Sequence, residues 1–128
     1  MATIKNHCAD CKYYLRDKYE EIHQFLDQYA NIFSPAFFED YHRTFLHNSY
    51  GIELIKQKWG IEGYEAGIIH LTRDYIGATI TNYSLYDIEY TLFPKIKMWF
   101  DLLRTEYNPH PHVLKGWENI GLVAKALS

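Results

Sequence analysis

Apolar and aromatic side chains recur at three- and four-residue spacing along most of this chain, and that period restricts it to packed helices. From Lys12 to Ala30 the positions Tyr14, Leu15, Tyr19, Ile22, Phe25, Leu26 and Tyr29 form one stripe, which predicts a first helix. Asn31 to Phe33 breaks the pattern. Ser34-Pro35 then reads as a hydroxyl N-cap followed by proline at N1, where its missing N–H costs nothing. Phe37, Phe38, Tyr41, Phe45 and Leu46 supply the next face. The pattern resumes with Ile52, Leu54, Ile55 and Trp59 and stops at Gly60.

A third helix is expected over Glu62–Ile76, with Tyr64, Ile68, Ile69, Leu71 and Tyr75 inward. Gly77 to Tyr83 reads as an extended connection or short strand. Ser84 to Asp87 resembles a capping pattern, and Pro94 should end that helix or restart the next. Lys95–Tyr107 is amphipathic through Ile96, Trp99, Phe100, Leu102 and Leu103. Asn108 to His112 is a Pro-spaced linker, and Val113–Leu127 is expected as a last helix. The fold class is therefore all-α, a single domain over residues 1–128 with five or six helices.

Composition narrows the function classes. The chain has 128 residues, 48% of them hydrophobic and 23% charged, enough for one core and no second domain. A net charge of −3 argues against nucleic-acid binding through bulk charge. No apolar run reaches the roughly 18 residues of a membrane span, and no signal peptide is visible at the N-terminus. Two cysteines in a chain that builds its own core do not make a disulfide framework, so a reducing cytoplasm is expected.

The clearest chemical pattern is His7-Cys8-Ala9-Asp10-Cys11. Two thiolates separated by two residues can grip one Zn²⁺, and His110 and His112, on one side of the Pro-spaced segment, could complete a tetrahedron, with His7 a further candidate. A redox pair, or two ordinary thiols, are the other readings of Cys8 and Cys11. A second cluster comprises His42, His47, His70 and Asp74. His70 and Asp74 are four apart and share a helix face, and the stretch from His47 to His70 is the length of a helical hairpin, which would bring the two together. Arg43 and Asp74 could pair across the helices, in which case buried histidines hydrogen-bonding between them explain the set without a ligand.

His42-Arg43, His47-Asn48 and Gly51-Ile52, followed by His70 on the next helix, resemble a pattern in small bacterial and phage helical proteins of unknown function. That resemblance covers about 35 residues and implies the pairing of the two helices. His47, His70 and Asp74 are also similar in type to the metal ligands of HD-type phosphohydrolases, although the adjacent His-Asp pair of that family is missing: Leu71 follows His70 and Asn48 follows His47. This similarity implies a metal-dependent hydrolase. Against it stands the aromatic excess, 17% of residues. Tyr83, Tyr86 and Tyr90, together with Tyr13 and Tyr50, fall off the core stripes and supply contact area suited to a protein or small-molecule partner. A helical binding protein with a structural zinc site is thus the first expectation, and the hydrolase the second.

Overall fold

The structure, a computed structural model, describes residues 3–28 and 46–107, with side chains through residue 102. Ser34-Pro35, His42, Arg43, His110, His112 and the expected last helix lie outside the described residues.

Among the described residues the chain is helical and contains no strand. Helix α1 spans Ile4–Leu15 and α2 spans Glu20–Leu26. The single helix expected from Lys12 to Ala30 is therefore two. Thr3 starts α1 by accepting the Asn6 N–H on its hydroxyl at 3.2 Å. The stripe is interrupted because Arg16 and Tyr19 both adopt positive φ, 67° and 51°, and the Asp17 carboxylate caps the Tyr19 N–H at 3.2 Å. The break lets α2 fold back beside α1.

Helix α3, Ser49–Ile76, is a hairpin of two arms, 49–59 and 61–76, joined at Gly60. A straight helix would hold His47 and His70 about 34 Å apart at 1.5 Å per residue, yet their Nε2 atoms are separated by 3.1 Å. The reversal occurs at Gly60, whose φ of 77° and ψ of −162° suit a residue without Cβ. The arms then pack closely: a Cβ on Gly67 would come within 2.8 Å of Ile52 Cδ1. Asn48 caps the first arm, its side-chain oxygen accepting from the Gly51 N–H at 3.0 Å. Gly77 closes the second arm in the left-handed conformation.

An irregular connection over 77–83 follows, pinned by the Tyr14 hydroxyl, which lies 2.7 Å from the carbonyls of both Ile80 and Tyr83. Ser84 caps α4, Leu85–Asp87, by accepting the Asp87 N–H at 3.1 Å, as the sequence predicts. Of the two outcomes expected at Pro94, the restart is the one observed, with a new helix beginning at Phe93. In a regular α-helix the proline ring would meet the Tyr90 carbonyl. The chain instead widens into a π-helical turn, Ile88–Leu92, and continues as α5, Phe93–Tyr107.

The core is formed by Cys11, Ile22, Leu26, Leu46, Ile52, Leu54, Ile55, Ala66, Ile68, Ile69, Leu71, Ile80, Ile88, Phe93, Ile96 and Phe100. Tyr75, expected inward on α3, is exposed, and so are Trp99 and Leu102, because α5 presents Phe93, Ile96 and Phe100 to the hairpin instead. Among the described residues no helix is long and apolar enough to cross a membrane.

Candidate metal centre

The most unusual feature of this interior is its polar content. His7, His23, His47 and His70 are fully buried, and Asp74 is 6% exposed. Their positions follow from the helices. Helix α1 turns His7, Asp10 and Cys11 to one face, and α2 turns Ile22, His23 and Leu26 inward with Asp27 as its C-cap. His47 precedes the Asn48 cap of α3, and His70 and Asp74 lie one turn apart on its second arm. The carboxylate of Asp101 on α5 accepts from the backbone N–H and hydroxyl of Ser49 at 2.8 and 2.6 Å, fastening the segment that carries His47.

Four donors converge: Nε2 of His47, Nε2 of His70, Oδ1 of Asp27 and Oδ2 of Asp74. The two nitrogens are 3.1 Å apart. His47 lies 3.3 Å from Asp27 and 2.9 Å from Asp74, and His70 lies 3.2 Å from each carboxylate. A cation bound at about 2.0–2.2 Å by imidazole and carboxylate ligands sets neighbouring donors about 2.8–3.1 Å apart at octahedral angles and about 3.3–3.6 Å apart at tetrahedral ones. The five separations, 2.9–3.3 Å, span the octahedral edge and the short end of the tetrahedral one.

Protons satisfy this arrangement poorly. Two nitrogens supply at most two N–H groups to the five short contacts, and with both protonated the N–H bonds would confront each other across 3.1 Å. A divalent cation presents positive charge to all four donors and cancels the two buried carboxylates. The donor set therefore fits a metal ion.

Burial opposes a charge on His70, but its hydrogen bonds to Asp27 and Asp74, together with their charges, raise its pKa to about 9. Burial likewise works against ionising Asp27 and Asp74. The contacts from His47 and His70, joined at Asp74 by His7, hold both well below the usual carboxylate range. His7 and His23 respond in the opposite sense. Burial, then the charge on His70, lowers His7, and burial with the charges on His70 and His7 lowers His23 to about 3.

His7, His23 and His70 form a second group of neighbouring donors, but their shape does not suit a metal. The rings of His7 and His70 stack with centroids 3.5 Å apart and planes at 13°, so their lone pairs run in parallel planes rather than meeting. His7 Nε2 lies 3.2 Å from Oδ1 of Asp74, off the line of a hydrogen bond. Beside the cluster, Arg73 holds Asp10 at 3.0 Å. Burial raises the Asp10 pKa, and the guanidinium opposes the rise.

The structure thus unites His47, His70 and Asp74, as their spacing allowed. Asp74 faces histidines, and Arg43, its expected partner, lies outside the described residues. Cys8 and Cys11 sit on α1 rather than at a loose terminus, and neither joins a group of three convergent donors among the described residues. The Cys11 thiol faces the Ala66 carbonyl at 3.8 Å, and burial pushes its pKa up, disfavouring the thiolate a metal needs. Cys8 is half-buried. The completing ligands His110 and His112 lie outside the described residues. Tyr86 and Tyr90 are exposed, and their rings lie 4.8 Å apart between centroids with planes tilted by 42°. Tyr83 instead packs against the core.

Sequence reasoning missed Asp27 and the roles of His7 and His23. A signal was present: His23 and Asp27 repeat the four-residue spacing of His70 and Asp74. Compared with known proteins, the chain matches no family model, no curated protein and no solved structure.

Proposed function

We propose that the protein is a metal-dependent hydrolase whose His47, His70, Asp27 and Asp74 hold one divalent transition-metal ion. The convergence of these four donors at separations of 2.9–3.3 Å carries the reading. Two imidazoles and two carboxylates suit zinc, iron, manganese or cobalt. When bound, such an ion acts as a Lewis acid toward a phosphoryl or carbonyl oxygen and acidifies water.

The chain's own residues do the rest. The two carboxylates neutralise the ion, and the fully buried imidazoles of His47 and His70 keep bulk water away from it. The Asp27 side chain, 16% exposed where those of His47, His70 and Asp74 are wholly buried, marks the approach for substrate. The similarity to HD-type phosphohydrolases in the types of His47, His70 and Asp74 favours a phosphoester substrate, here without that family's adjacent His-Asp pair. The test is hydrolysis of a generic phosphodiester by protein reconstituted with Mn²⁺. Turnover that His70→Ala abolishes supports the proposal. Full metal occupancy without turnover would leave a structural centre in place of a hydrolase.

A second reading is carried by the exposed Tyr86–Tyr90 pair, a surface for a protein or small-molecule partner in the cytoplasm. It predicts that native mass spectrometry from the protein's own cells recovers a complex, which Tyr86→Ala with Tyr90→Ala disrupts.

A further inference from the structure

We infer that His23 is a positioning residue for the metal centre, fixing the proton on His70 to Nδ1 so that Nε2 faces the ion as a lone pair. The inference rests on the metal reading above and adds to it a chain of three groups. At one end the backbone carbonyl of Lys18, which can only accept, lies 2.9 Å from Nε2 of His23. Nε2 of His23 therefore carries a hydrogen. A neutral His23 then has no proton on Nδ1, and that nitrogen accepts.

The next contact is short, 2.9 Å from Nδ1 of His23 to Nδ1 of His70. His70 must donate across it. With its proton committed to Nδ1, a neutral His70 presents an unprotonated Nε2 to the point where His47, Asp27 and Asp74 converge. One carbonyl outside the centre thus sets the tautomer of a ligand two hydrogen bonds away. The His23 ring is fully buried, which keeps water from offering His70 another acceptor. Histidine ligands are oriented and made more basic by such partners on their second nitrogen, and losing the partner typically weakens metal binding 10–100-fold.

The experiment is titration of metal-free protein with Co²⁺, read by its visible absorption bands, for wild type, His23→Leu and His23→Gln. Wild type should bind one ion. His23→Leu, which leaves His70 Nδ1 without an acceptor, should bind about 10–100-fold more weakly. His23→Gln can accept from His70 through its amide oxygen and donate to Lys18 through its NH₂, so it should restore most of the affinity. Wild-type affinity in folded His23→Leu would overturn the positioning role while leaving the metal centre standing. No Co²⁺ uptake by wild type would overturn the metal reading itself. If His23→Leu does not fold, nitrogen-15 NMR of the histidines in Zn²⁺-loaded wild type decides. His23 protonated at Nε2 and His70 at Nδ1 support the inference, and the opposite tautomers overturn it.

Discussion

Replacing Asp74 with asparagine keeps the shape of the side chain and removes the anion that three histidines face. In the metal-free protein this carboxylate and Asp27 hold His70 as an imidazolium, with a pKa raised from 6.5 to about 9. At 1.36 kcal/mol for each tenfold change, that difference is worth about 3 kcal/mol of folding free energy. Because the folded value lies above the unfolded one, the stabilisation is fully present below about pH 6.5 and is lost as pH rises through 9. Metal-free wild type should therefore lose about 3 kcal/mol between pH 6.5 and 9.5. In Asp74→Asn only Asp27 still supports the charge, so the loss over that range should shrink. The variant should also start lower, by about 3 kcal/mol at pH 6.5, as expected when one partner of a buried charged set is removed. For a chain of this length that is about 10 °C in melting temperature. Urea unfolding in the presence of chelator, from pH 6 to 10, measures both quantities. A wild-type profile flat across this range, or a variant with wild-type stability and slope, would refute the reasoning.

Saturating metal at about 100 times its Kd should raise the melting temperature of wild type by about 10 °C, from about 2.7 kcal/mol of linkage. His70→Ala should remove the rise, as calorimetry with and without chelator would show. Cys8→Ser should leave metal stoichiometry unchanged, because the half-buried thiol is not among the converging donors; loss of the ion in that variant would return the site to the cysteines. Gly60→Ala should cost about 1–3 kcal/mol by urea titration, since φ at this reversal is 77°. Arg73→Ala should cost about 3 kcal/mol by leaving Asp10 buried without its guanidinium.

The helical class and the hairpin were legible because they rest on local signals: the apolar period, the glycine at position 60 and the serine cap at position 84. The pairing of His47 with His70 and Asp74 followed from the length of that hairpin and the one-turn spacing. What escaped was set by positions without a local signature. Arg16 and Tyr19 take positive φ where glycine would ordinarily announce it, so the split between α1 and α2 was invisible. That split carries His7, His23 and Asp27 to the centre. The Pro94 signal marked the restart of a helix at Phe93, and the π turn that accommodates the ring before it had no local signature. The cysteines drew attention by their spacing, yet a helix at that point turns Cys11 into the protein and away from solvent.

Metal content of protein purified without chelators, measured by plasma mass spectrometry beside His70→Ala, tests the centre most directly. A buried set of two imidazoles and two carboxylates should retain close to one transition-metal ion per chain in wild type and almost none in the variant. Wild type that carries no metal, and whose melting temperature does not move when zinc, manganese, iron or cobalt is added, would contradict the centre and leave the four donors as a proton-linked buried cluster.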